Sequence, residues 1–413
     1  MLTTEAPLLS IVIPVHNQAD MLQSCLQHLR QSTWLNYEVM VVDDGSCDAS
    51  ADVARACGCR VIQLGRKAGP GSARNLGAQA AYGGILVFLD ADVCVQPKTL
   101  EYLVESLKQN SVDAAFGSYD SAPAAPNLVS QFRNLLHHYV HQTARDEATT
   151  FWAGCGAIRK SVFVEAGGFD ETFSEPSVED IELGLRLSRA GRRVVVQKQA
   201  QVTHLKKWTL SSMCGCDVWR RGVPWTMLIF REGRCLNDLN VKRSQRWSIV
   251  LTMVFAAMMS LATLHQLWIL GLSLVLIAAM IVADRCGTKL RGFNSLAIPI
   301  AVTGIFLAGY AQDRVVITAA VASLVGVVAI NWGFYRFLWQ VRGTSFAVSI
   351  IPLHIVFYAS CGISFVIALA LLARNSLAHR CRSFWRAKEI GRTGVSPAAA
   401  RFALAEDVTA VRK

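Results

Sequence analysis

Two carboxylates close a run of β-forming apolar residues in "ILVFLDADV", Ile85 to Val93. In a strand, side chains alternate between faces, so Asp90 and Asp92 are expected on one side with the small Ala91 between them. Like charges that close call for a cation, and hard oxygen ligands suit Mg²⁺ or Mn²⁺, which keep open positions for phosphate oxygens. A D-x-D triplet alone is a weak signal, since many are solvated turns; its place at the end of a buried-type strand strengthens it.

The turn "GRKAGPGSARNLG" is glycine-rich but lacks the Gly-Lys-Ser/Thr of a P-loop, and Arg74 stands where a dinucleotide fingerprint has its third glycine. ATPase and dehydrogenase readings weaken together. What remains is a tight turn into a helix N-terminus with Arg74 on its first turns, which suits a diphosphate, or else a plain turn with a solvated Arg. A third element, "SEPSVEDIELGLRL", places Ser177 as an N-cap with Asp180 as a capping-box carboxylate. Asp180 at a helix start facing a sugar would equally accept a proton from an acceptor hydroxyl. Position alone does not separate these readings.

These residues need elements to hold them. "LLSIVIPV", "YEVMVVDDGS" and "RVIQL" read as strands, "QADMLQSCLQHLRQS" and "SARNLGAQAAYG" as helices, and "CDASADVARACG" as the start of a capped helix. Alternating strands and helices predict an α/β fold with a mostly parallel sheet, in which ligands bind outside the carboxyl ends of the strands. Asp43 and Asp44, the glycine-rich turn, and Asp90 and Asp92 then converge.

Composition changes along the chain. The 413 residues are 52% hydrophobic with a mean hydropathy of +0.33, and from Trp247 onward long apolar runs dominate. Candidate membrane spans fall near 247 to 264, 267 to 283, 295 to 310, 315 to 331 and 349 to 372, four or five in all, several shorter than the roughly 20 residues a crossing needs. Five full crossings would put the basic tail outside, so either one segment is re-entrant or interfacial or the tail breaks the positive-inside rule. The net charge of +11 sits beside the apolar runs, at Arg231, Arg234, Lys242, Arg243 and Arg246 and again at Arg374, Arg380, Arg382, Arg386 and Lys388. That fits anionic lipid better than a nucleic acid. Residues 206 to 246 interleave Trp208, Trp219, Trp225 and Phe230 with Lys and Arg, as an interfacial segment does. The twelve cysteines show no paired-CxxC zinc spacing and no disulfide framework. "MLTTEAPLLS" has no basic region before an apolar core, so the expectation is no cleaved signal peptide, a cytosolic first domain and an integral membrane protein, of a bacterial inner membrane.

"SIVIPVHN", "VVDDGSCD", "GPGSARNLGAQAAYGGILVFLDADV", "GCGAIRKSVFVEAGGFDE" and "EDIELGLRL" occur in the order and approximate spacing of family 2 glycosyltransferases of the GT-A fold. The chain resembles that family over about residues 8 to 205, with a multi-span region following. The resemblance implies a domain over residues 1–205, an interfacial segment over 206–246, spans over 247–372 and a basic tail over 373–413. It also implies an inverting, metal-dependent (Mn²⁺ or Mg²⁺) transfer of a sugar from a nucleotide diphosphate donor, usually a UDP-sugar. By motif, Pro14, Val15 and Asn17 would line the nucleotide pocket, Asp43 would bond the base, Arg74 would lie near base or diphosphate, and Asp90 would approach the ribose and sugar. Asp92 would hold the metal with Asp90 nearby, and His204 would approach metal or diphosphate. Asp180 would be the general base, oriented by Glu179, and Trp152 and Gly154 would border the acceptor. Processive relatives carry Q-x-x-R-W after this region; here only "SQRW" occurs, at Ser244 to Trp247. Single transfer to a membrane acceptor is therefore favoured, and with Asp180 as a base the acceptor is expected to be a hydroxyl of a lipid or lipid-linked glycan; a polyprenyl phosphate acceptor, a nucleotidyltransferase and an inactive membrane scaffold are the alternatives.

Overall fold

The computed structural model describes the backbone of residues 9–233, 238–239, 242–285 and 314–393, and their side chains except 265–285 and 375–393. The expected third span, near 295 to 310, lies outside the described residues, as does the end of the tail.

The first half is β1 (Leu9–Val15), α1 (Ala19–Leu29), β2 (Tyr37–Asp43), α2 (Ser50–Ala56), β3 (Arg60–Gln63), α3 (Pro70–Ala80), β4 (Ile85–Leu89), β5 (Val93–Val95) and α4 (Thr99–Lys108). It continues with β6 (Ala114–Tyr119), α5 (Leu128–Gln142), β7 (Glu147–Ala148), β8 (Cys155–Arg159), α6 (Lys160–Glu165), α7 (Glu179–Arg189) and β9 (Val194–His204). Nine strands form one sheet in the order β3-β2-β1-β4-β8-β6-β9-β5, with β7 on β9. The β3-β2-β1-β4 half is parallel throughout; beyond it β8 is antiparallel to β4 and β6, and β6 runs parallel to β9. The sheet is a Rossmann-like GT-A arrangement with mixed strand directions in its second half.

Both faces of the sheet are covered, which is why its central strands read as unbroken apolar runs. Ile11, Ile13, Val87 and Leu89 point into one layer with Leu22, Leu26, Leu103 and Val104. Val12, Leu86 and Phe88 point into the other with Phe116, Phe132, Phe151, Phe169 and Leu183. This second layer runs on into Phe334, Tyr335, Leu338 and Ile350 of the apolar half.

After the sheet come α8 (Leu210–Gly215), a π-helical turn (Cys216–Gly222) and α9 (Val223–Glu232), then α10 (Arg243–Arg285), α11 (Arg314–Ile330), α12 (Trp332–Arg342) and α13 (Thr344–Thr393). Among the described residues, two helical stretches are long and apolar enough to cross a membrane, Arg243–Leu264 and Thr344–Arg374. A third crossing is possible if α11 and α12, bent by 66°, act as one broken span. The expected spans at 247 to 264 and 267 to 283 fall on the single helix α10, because no Gly or Pro interrupts Thr263 to Trp268. Likewise α13 continues past residue 373, where a separate tail was expected. The bent α12 lies against α5: Phe334 meets Phe132 and Tyr139 with ring centroids 6.4 and 5.3 Å away, and Arg342 donates to the Ser121 carbonyl (2.9 Å).

Candidate active site

A cleft of about 410 Å³ opens outside the carboxyl ends of β1 and β4. It is lined by Pro14, Val15, Asp44, Arg74, Asp90, Asp92, Trp152, Glu179, Asp180 and His204 among the residues anticipated, and by Tyr119, Lys206 and Arg221 among those that were not.

The two acids of the D-x-D run are not on a shared strand face. β4 ends at Leu89, and a turn closed by Val93 N–H to the Asp90 carbonyl (3.3 Å) separates it from β5. The side chains diverge. Asp90 Oδ1 accepts from Arg74 (2.7 Å), while Asp92 Oδ2 lies 3.6 Å from His204 Nε2, in register because Val93 pairs with His204 across β5 and β9. Burial alone would raise the Asp92 carboxyl, but His204, then Lys206, outweigh it and hold the group below the usual range. Asp90 goes the other way: burial pushes it up and Arg74 offsets this only in part. Tyr119 stacks on the His204 ring at 4.3 Å and 12°, and fixes its plane.

Arg74 does not stand free for a diphosphate. Its guanidinium donates to Asp90 and to Glu179 Oε1 (3.0 Å), lies 5.4 Å from the Phe169 ring, and leaves its buried Nε without a partner. It is a buried strut joining the end of β4 to the start of α7. Glu179 Oε2 accepts from Ser177 N–H (2.9 Å), so both oxygens of Glu179 are engaged. The N-cap of α7 is Val178 rather than Ser177, whose hydroxyl instead donates to the Arg220 carbonyl (2.8 Å). The capping-box reading is thereby corrected: the chain turns into the helix one residue later, which frees Asp180 from the capping role. Asp180 Oδ2 accepts from Ala153 N–H (3.2 Å) and Oδ1 from Ile181 N–H (2.8 Å). Burial, then repulsion from Glu179, pushes its pKa up to about 7 against the pull of Arg74 and the Ala153 amide.

At the other end, Asn17 and Asp43 support loops. Asn17, at φ 54°, donates its N–H to Ser46 Oγ and accepts from Cys47 N–H (2.8 Å), while Asp43 accepts from Ser46 N–H and Gln63. Neither lines the cleft. The adjacent Asp44 does, and it accepts from the amides of Ala68 (2.6 Å) and Gly69 (2.9 Å), fixing the glycine-rich turn. Gly69 sits at φ +99°, and a Cβ there would lie 2.8 Å from the Phe173 carbonyl oxygen. The "DD" pair signalled this, but sequence did not tell which acid faces inward. Gly154 also lies behind the wall: a Cβ on it would stand 2.6 Å from the Trp152 indole, so it makes room for a ring that packs edge-on against Tyr119.

The cleft thus combines a carboxylate–imidazole pair with a raised carboxyl at the strand ends of an α/β sheet. Residues 10–167 match the model of the glycosyl transferase family 2. Glycosyltransferase GlyG of Streptococcus pneumoniae is 31% identical over 117 residues, 27% of this chain and 39% of that protein. Validoxylamine A glucosyltransferase of Streptomyces hygroscopicus subsp. jinggangensis is 30% identical over 264 residues, 54% of this chain and 62% of that protein. The chain thus spans less than two thirds of the length of these relatives. A mannosyltransferase from Pyrobaculum calidifontis, solved in complex with GDP-Man and Mn²⁺, superposes with a TM-score of 0.46 at 18% identity over 80% of this chain and 88% of that one.

Proposed function

We propose that this chain is a membrane-anchored inverting glycosyltransferase that moves a sugar from a nucleotide diphosphate, a UDP-sugar for preference, to a hydroxyl of a lipid or lipid-linked glycan. The observation that carries this reading is Asp180: a carboxyl with a pKa of about 7, held by a backbone amide, opening on the same cleft as Asp92 and His204. A base poised near neutrality suits deprotonation of an alcohol, whereas a phosphate acceptor is already anionic and needs none. In the transfer, the acceptor oxygen attacks the anomeric carbon, its proton passes to Asp180, and the bond to the diphosphate oxygen breaks with the electron pair leaving on that oxygen. Glu179, clamped by Arg74, orients Asp180 rather than reacting.

Asp92 and His204 fit a divalent cation. The Asp92 carboxylate is held ionised and faces His204, and among the described residues no third His, Cys, Asp or Glu completes a set with them. Such a pair leaves open the positions that Mn²⁺ or Mg²⁺ fills with phosphate oxygens and water. When bound, the cation would stabilise negative charge on the leaving diphosphate. Asp90, tied to Arg74, is assigned to the sugar side of the cleft rather than to the metal. The apolar stretches of α10 and α13, with Trp219, Trp247, Trp332 and Trp339 exposed, support anchoring at a bilayer interface.

The test is nucleoside diphosphate release by the purified full chain across a panel of nucleotide-sugars, with Mn²⁺ or Mg²⁺ and lipid extract. Release that requires lipid and is lost in Asp92→Ala and Asp180→Asn supports the reading. A folded protein that binds no sugar nucleotide refutes it in favour of a membrane scaffold.

A further inference from the structure

With Arg74 neutralised, the cleft must find its positive charge for a diphosphate elsewhere. Lys67 is committed to Glu175 (2.6 Å), and Lys206 lies 4.4 Å from the Trp208 ring. Arg221 remains. It lines the cleft and is solvent-exposed, it makes no hydrogen bond or ion pair among the described residues, and its charge acts on Asp180, Tyr119 and His137. Arg221 is thus within electrostatic reach both of the base and of Tyr119, the ring stacked on the imidazole that faces Asp92.

Its mount is rigid. Arg221 is carried on the π-helical turn, where one extra residue shifts the register of the helix and re-aims the side chains that follow. Behind the turn, Asp217 pairs with Arg133 at 2.5 Å, both almost wholly buried, and Arg133 lies between the rings of Trp208 and Phe357, each 5.7 Å away. On one side the Arg220 carbonyl accepts from Ser177, two residues before Glu179. On the other, Gly222 rests on α13: a Cβ there would stand 2.2 Å from Ser364 Oγ, and Ser364 itself reaches the Asp217 carbonyl (3.4 Å). A free guanidinium on a backbone fixed from three directions is a preorganised anion ligand.

We propose that Arg221 binds the phosphoryl oxygens of the nucleoside diphosphate, and that its position is set by the seat of Gly222 on Ser364 of α13. This rests on the transferase reading above and adds to it the residue that takes over the charge Arg74 has given to Asp90 and Glu179. It also makes a candidate membrane helix part of the site, because moving α13 moves the turn.

The experiment is equilibrium binding of UDP, UMP, GDP and GMP to the full chain in detergent with Mn²⁺, for wild type, Arg221→Met, Arg221→Lys and Gly222→Ala, with thermal melting of each. A lost charge-assisted contact predicts about 10- to 100-fold weaker binding of the diphosphate in Arg221→Met, with the monophosphate changed by less than about twofold. Arg221→Lys falls between, and Gly222→Ala, which retains the guanidinium but displaces its mount, shifts the same ratio in the same direction. An unchanged diphosphate-to-monophosphate ratio in a folded Arg221→Met overturns the proposal and leaves the transferase reading standing. So does equal weakening of both nucleotides, which would place Arg221 on the nucleoside. If wild type binds no nucleotide, the transferase reading falls and this inference falls with it.

Discussion

Replacing Arg74 by Met removes one cation from between two carboxylates, and the consequence can be worked from the burial of each. Glu179 is 5% exposed and Asp90 34%, so Glu179 carries most of the cost while Asp90 regains part of its hydration. Breaking a buried pair by deleting one partner costs about 3–5 kcal/mol, because the remaining charge is left unsolvated. A domain of this size loses roughly 2–4 °C per kcal/mol, so Arg74→Met should melt about 6–20 °C below wild type at pH 8. Burial already raises the Asp90 carboxyl and Arg74 offsets this only in part, so losing Arg74 raises it further; protonation then relieves the variant as pH falls, and the deficit at pH 5 should be smaller than at pH 8. Arg74→Lys should recover only part, since a single ammonium does not span both carboxylates as the planar fork does. Adding Glu179→Gln to Arg74→Met should restore stability relative to Arg74→Met alone. The assay is thermal melting of the detergent-solubilised full chain at both pH values. Equal melting of Arg74→Met and wild type at pH 8, or a deficit that does not shrink at pH 5, would refute the clamp.

Four further outcomes follow from the same geometry. Catalytic rate should rise with pH through about 7 as Asp180 ionises, and Asp180→Asn should abolish that limb together with the activity; a limb near pH 4 would sink the assignment. The same shift has a stability sign: Asp180, raised from the ordinary 3.8 to about 7, contributes stability present below about pH 4 and lost as pH rises through 7, so Asp180→Asn should melt above wild type at pH 8 but not at pH 4. Asp92→Asn should weaken Mn²⁺-dependent nucleotide binding while leaving metal-free binding little changed, read by titration with and without the ion. Gly154→Ala should push the Trp152 indole off Tyr119, changing acceptor KM more than donor KM; an unaltered ratio of the two would remove Trp152 from the acceptor side.

Local rules were enough for the scaffold. The alternation that sends Ile11 and Ile13 one way and Val12 the other, and the spacing of Leu22, Cys25, Leu26 and Leu29, are set by strand and helix periods, and these made the parallel half of the sheet legible. The convergence of the cleft residues also followed, because strand carboxyl ends meet on one edge of such a sheet. The antiparallel insertion of β8 between β4 and β6 was not legible, since pairing partners distant in sequence leave no periodic trace.

The site divides in the same way. The types at Asp90, Asp92, Asp180 and Arg74 follow from sequence; which of them touch does not. One turn residue after Leu89 sends Asp90 to Arg74 and Asp92 to His204, and one residue of delay at the start of α7 turns Asp180 from a cap into a carboxyl that faces the cleft. Arg221 read as one more basic residue of an interfacial segment, and only the π-helical turn resting on α13 aims it at the cleft. Sequence determines which charges are present and which backbone rules they obey. Pairing among buried charges depends on distances of a few ångströms across elements far apart in the chain, and only the packed tertiary structure decides those.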